Sequence, residues 1–134
     1  MKRFKAIALS LVILFTVTTL TSAASFESPK LQFKYNIVES NLLIGAKSEN
    51  FGLRVDCAYK LGELKSKKAV NCLIKMLRSA DTEEEQIMAA LSLRKIENAR
   101  GLYALKRAGK FAESDRVKRM CKIFYYDYLQ KKDA

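Results

Sequence analysis

The chain has 134 residues, 25 Lys and Arg against 14 Asp and Glu, 49% apolar residues and no histidine. Lack of histidine removes the commonest general base and zinc ligand, so hydrolytic or zinc chemistry would rest on carboxylates, lysine, tyrosine and thiols alone. No signature surrounds any serine or cysteine, and the composition argues against an enzyme.

The first 24 residues have the form of an export signal. Met1-Lys2-Arg3-Phe4-Lys5 is basic, Ala6 to Leu20 is uncharged and apolar, and Thr21-Ser22-Ala23-Ala24 supplies small residues for cleavage after Ala23 or Ala24. The alternative is a retained anchor, since the apolar run approaches a short spanning length. Cleavage would give an exported protein, periplasmic or secreted, of one domain's length. It would carry 22 basic residues against 14 acidic, a formal charge of +8. Such an excess suits an acidic partner, an anionic surface or simply solubility. Export argues against nucleic acid.

Residues 25–36 are expected to be a lead-in containing the only proline, Pro29. From Lys34 to Ala46, Ile37, Val38, Leu42, Leu43 and Ala46 recur at helical spacing. Asn50 is placed to cap a second helix over 51–64, with Val55, Ala58, Leu61 and Leu64 on its stripe. After the turn Lys65–Lys68 a third helix runs to Arg78, burying Val70, Leu73, Ile74 and Leu77. Thr82 and Glu85 form a capping box for a fourth helix over 83–97, and Glu83-Glu84-Glu85 complements the positive end of its dipole. That chemistry accounts for the three glutamates without a metal. The fourth stripe is Ile87, Ala90, Leu93 and Ile96; a fifth helix spans 99–109, Gly109 to Ser114 is a polar break, and a last helix spans 114–131 with Val117, Met120, Ile123 and Tyr126 on its stripe.

The stripes repeat. Val55, Ala58, Leu61 and Leu64 fall 32 residues before Ile87, Ala90, Leu93 and Ile96, and Val70 and Leu73 fall 32 before Leu102 and Leu105. The last stripe follows at an offset of 30. Two helical patterns per repeat, with no alternating strand pattern, predict an all-α fold, an α-solenoid of antiparallel helix pairs with about six helices after the signal. The cysteines, Cys57, Cys72 and Cys121, are odd in number and match no metal spacing. Each suits a small buried hydrophobe; a Cys57–Cys72 bridge across the hairpin is geometrically conceivable.

Asn50 to Leu64 followed by Lys68 to Leu77 resembles a HEAT repeat of the short bacterial type. The next copy is similar at Ala89 to Ile96 and Gly101 to Leu105, with Arg94 where the first copy has Gly62. The resemblance covers about residues 37–128, within a repeat domain taken as 37–131, as half, whole, whole and half copies. It implies a non-catalytic, armadillo-like scaffold without cofactor or metal, whose second helices meet a protein or acidic peptide. A subset of the family are bilin lyases, a role nothing else in this chain supports.

The exposed positions of those second helices would carry the contact: Asn71, Lys75 and Arg78 on one, and Tyr103, Lys106, Arg107 and Lys110 on the other. Arginine and tyrosine combine contact area with directional hydrogen bonds. The alternative is attachment to an anionic membrane or polymer surface through Lys65, Lys67, Lys68, Arg116, Lys118, Arg119 and Lys122. In the aromatic run Phe124-Tyr125-Tyr126-Tyr128, Tyr126 is assigned to the core stripe and the others to a cap on the open end, or to a dimer contact.

Overall fold

The computed structural model describes residues 29–133; the expected export signal lies outside them. The chain divides into two units, residues 1–33 and 34–134. Of the first, only residues 29–33, the opening of a helix, are described. All regular structure among the described residues is helical: α1 (Pro29–Gly45), α2 (Phe51–Glu63), a 3-10 turn (Lys67–Ala69) leading into α3 (Val70–Ser79), α4 (Glu83–Ile96), α5 (Ala99–Phe111) and α6 (Asp115–Asp133). Helix α1 therefore takes in Pro29 and the described part of the expected lead-in, residues 29–36, since proline is tolerated in a helix's first turn.

The caps follow the sequence. The Asn50 side chain accepts from the Leu53 amide at 3.0 Å, and Thr82 Oγ1 accepts from the Glu85 amide at 3.3 Å. The two inter-helix turns repeat each other 32 residues apart. Lys65 (φ 51°) and Glu97 (φ 57°) are the two non-glycine residues with left-handed backbone among those described. Ser66 and Asn98, which follow them, cap the next helices by accepting from the Ala69 and Arg100 amides.

Helix α4 is central. It packs on α2, α3, α5 and α6, while α3 also meets α5 and α5 meets α6. Leu61, Leu73, Leu93, Leu105, Val117 and Cys121 are fully buried in the shared core. Polar links join the α2, α4 and α6 positions: Arg54 to Glu85, Glu63 to Lys95, Ser114 to Glu83, Arg94 to Asp127 and Lys131 to Glu97. Where α2 passes α4, a Cβ built on Gly62 would lie 2.8 Å from Ser92 Cα, so the absent side chain sets how closely the helices approach.

Three expectations about packing need correction. On α1 the deeply buried side chain is Glu39, while Ile37 and Val38 are exposed. Ser66 Oγ donates to Glu39 at 2.6 Å and Lys68 Nζ at 2.7 Å, and Tyr35 donates to the Leu64 carbonyl at 3.1 Å. These contacts favour a face running through residues 35, 39, 42 and 46 over one centred on 37 and 38.

On α6 the inward line is Val117, Cys121, Phe124 and Tyr128; Ile123 is 50% and Tyr126 61% exposed. Cys57, Ala89 and Cys121 thus share one buried register at a constant spacing of 32. The third expectation concerns Gly109, which lies inside α5. It is buried, with Lys122 of α6 close against it: a built Cβ would meet Lys122 Cγ at 3.1 Å. The glycine admits a neighbouring helix there and does not end its own.

Candidate partner-binding groove

Helices α3 and α5 run side by side and leave a groove of about 730 Å³ between them. Leu77 is buried beneath it, and Ile74, Ala104 and Ala108 are half-buried along its floor. Tyr103 and Phe111 stand above them at 67% and 76% exposure, with Arg78 on the α3 wall and Arg100 and Arg107 on the α5 wall. Positions 100, 103, 107 and 111 recur at helical spacing, which is why one flank of α5 presents all four. Glu113 lies at the groove's C-terminal end.

Apart from Arg119, which is exposed on α6 without a carboxylate partner among the described residues, the described arginines fall into two groups. Arg54, Arg94 and Arg116 are held in ion pairs with Glu85, with Glu97 and Asp127, and with Glu83 and Glu84. Among the described residues, the groove arginines Arg78, Arg100 and Arg107 have no such carboxylate partner. An unpaired guanidinium keeps its planar fork of donors available for a carboxylate or phosphate. Three forks around an apolar floor can grip anionic groups while excluding water from an apolar one.

Of the seven side chains expected to carry the contact, Arg78, Tyr103 and Arg107 line this groove. Lys75 lines a separate hollow of about 280 Å³ with Cys72, Arg54 and Glu85. Lys106 turns toward α6, its Nζ 6.0 Å from the Tyr125 ring centroid. Asn71 and Lys110 are exposed and outside the groove lining. Arg100 and Phe111 belong to the groove without being among those seven. Arg100 shares the Tyr103–Arg107 spacing, a signal present in the sequence; Phe111 falls in the stretch after Gly109 that reads as a break.

The three glutamates that open α4 serve more than its cap. Glu83 accepts from Ser114 and Arg116, Glu84 from Arg116 at 3.0 Å, and Glu85 from Arg54 at 2.5 Å. Glu84 is held below the ordinary carboxylate range by its own backbone amide and then by Arg116. The side-chain half of the expected capping box is therefore redirected: Glu85 reaches across to α2. All three cysteines are free thiols, with Cys57 and Cys121 buried and Cys72 half-buried. Burial pushes the Cys121 thiol up to about 11.

A scan against protein-family models, a search of curated proteins and a search of solved structures each find no match to this chain.

Proposed function

We propose that this protein is an exported, non-catalytic binding module, an α-solenoid of HEAT-like helix pairs, that docks another protein in the groove between α3 and α5. The observation that carries the reading is the distribution of charge partners. Carboxylates hold the arginines at the helix seams, whereas the three around the groove stay free beside exposed aromatic rings. Large exposed aromatics among arginines form the composition that dominates binding energy at protein interfaces. The solenoid reading draws support from the matching turns at Lys65 and Glu97 and from the 32-residue register of Cys57, Ala89 and Cys121.

Attachment to an anionic surface is the weaker reading. Of the cations it needs, Lys68, Arg116 and Lys118 are engaged by Glu39, by Glu83 and Glu84, and by Asp115. Affinity capture from an envelope extract with the wild type and with Arg78→Ala/Arg107→Ala tests the two. A protein recovered by the wild type and lost with the groove variant supports docking. Recovery indifferent to the variant, or adsorption to anionic vesicles in its place, overturns it.

A further inference from the structure

We infer that the groove takes an extended peptide of the pattern acid–x–apolar–x–acid, a deepening that rests on the docking reading above. Arg107 lies seven positions after Arg100, a rise of about 10 Å along α5. Tyr103 and Ala104 lie midway between them, with Ile74 and Leu77 lining the groove from α3. The groove therefore has a cation toward each end of an apolar middle. In an extended peptide, residues i, i+2 and i+4 face the same way, and i to i+4 spans about 13 Å. Carboxylates at i and i+4 reach the two arginines, whose flexible stems absorb the difference of about 3 Å. The side chain at i+2 then lies on the apolar floor against Tyr103.

Arg78 faces this segment from the opposite wall and gives a second fork for a carboxylate. Glu113 opposes an acidic residue placed beyond the Arg107 end, which limits the negative charge to the stretch between the arginines. A volume of about 730 Å³ lies in the range that holds a compact ligand, the size of a few residues rather than a docked helix. A lipid headgroup would present its anion at a single point, leaving one end of the groove without a partner.

The test is selection of a random linear-peptide library against protein purified after expression of the full 134-residue chain. Anisotropy measurements follow with a labelled Glu-x-Leu-x-Glu peptide. The expected result is enrichment of two carboxylates four residues apart around a large apolar residue. Affinity should fall about tenfold or more on Arg100→Ala or Arg107→Ala, the loss expected for a charge-assisted hydrogen bond. It should be unchanged on Arg119→Ala, an exposed arginine outside the groove. Enriched peptides that lack the spaced carboxylates yet are lost on Tyr103→Ala overturn the pattern and leave the docking reading standing. No enrichment, or binding to anionic vesicles alone, overturns both.

Discussion

Glu85 of α4, 2% exposed, accepts from Arg54 Nε of α2 at 2.5 Å and from the Thr82 hydroxyl at 3.1 Å, so a single buried carboxylate closes a helix start and joins two helices. Arg54 also donates to the Ser48 and Glu49 carbonyls at 2.9 and 2.6 Å, fixing the loop before α2. Arg54→Met would strand the carboxylate. Loss of one partner from a buried pair typically costs about 3–5 kcal/mol, and the partial exposure of Arg54 places this case near the lower end. Urea denaturation followed by circular dichroism measures it. Double replacement Arg54→Met/Glu85→Leu should recover much of the loss; failure to do so would make the loop contacts dominant.

Gly62→Ala sets two effects against each other. Alanine gains about 1 kcal/mol of helix propensity over glycine. Its Cβ, however, would lie 2.8 Å from Ser92 Cα, a backbone atom that moves only with its helix. Overpacking of this kind costs about 1–3 kcal/mol, so the net change should be destabilising. Adding Ser92→Gly removes the facing side chain but leaves the clash with the α4 backbone, and should rescue only part of the loss in the same denaturation curves.

Lys65→Gly should stabilise. Lys65 is exposed and holds φ 51°, a conformation that costs a residue with a Cβ roughly 1 kcal/mol and glycine almost nothing. A rise in the melting temperature checks this. Glu97, at the equivalent turn, should gain less because it also pairs with Arg94 and Lys131.

The acid limb of stability should depend on Glu39. Its carboxyl is held below the ordinary 4.5, first by the Lys68 hydrogen bond and then by Ser66. A depressed carboxylate contributes stability that is complete above the unfolded value and is lost as pH falls through the folded one. Glu39→Gln should therefore be less stable than wild type at neutral pH and should lose less stability below about pH 4.5. Thermal melts across that range compare the slopes; parallel curves would remove Glu39 from the acid transition.

Thiol labelling should rank the cysteines by access. Burial raises the Cys57 thiol and holds Cys121 at about 11, so little of either is thiolate at pH 8. Iodoacetamide treatment of the native protein, read by mass spectrometry, should modify half-buried Cys72 first. Early labelling of Cys121 would mean that α6 opens away from α4 and α5.

Much of this organisation can be read directly from residue spacing. Helix α3 buries Val70, Leu73, Met76 and Leu77 on one face, so periodicity leaves one choice of buried side, whereas α4 is enclosed on nearly all sides and its stripe marks only the deepest line. Helix α6 is different: Val117, Met120, Cys121, Ile123, Phe124 and Tyr126 are compatible with two stripes, and the inward one is set by α4 and α5, not by the helix itself. Glu39 escapes a reading of spacing because a buried carboxylate depends on Ser66 and Lys68, nearly thirty residues away. The groove is half legible. Helical spacing marks Arg78, Tyr103 and Arg107 as exposed, but which cations lack partners depends on where Glu83, Glu84 and Glu85 reach.

The position occupied by Gly62 in α2 is held in α4 by Arg94. The two seams are built differently in consequence. At the first, backbone meets backbone beside a Ser92 hydroxyl that is buried without a partner among the described residues; at the second, Arg94 reaches Asp127 of α6 across the seam and its Nε is likewise without a partner. Direct close packing of backbone resists separation more strongly than a solvent-reaching polar strut to a half-exposed carboxylate. Among α2, α4 and α6, amide exchange should therefore begin in α6 and reach α2 last, so that the seam on the C-terminal side opens first.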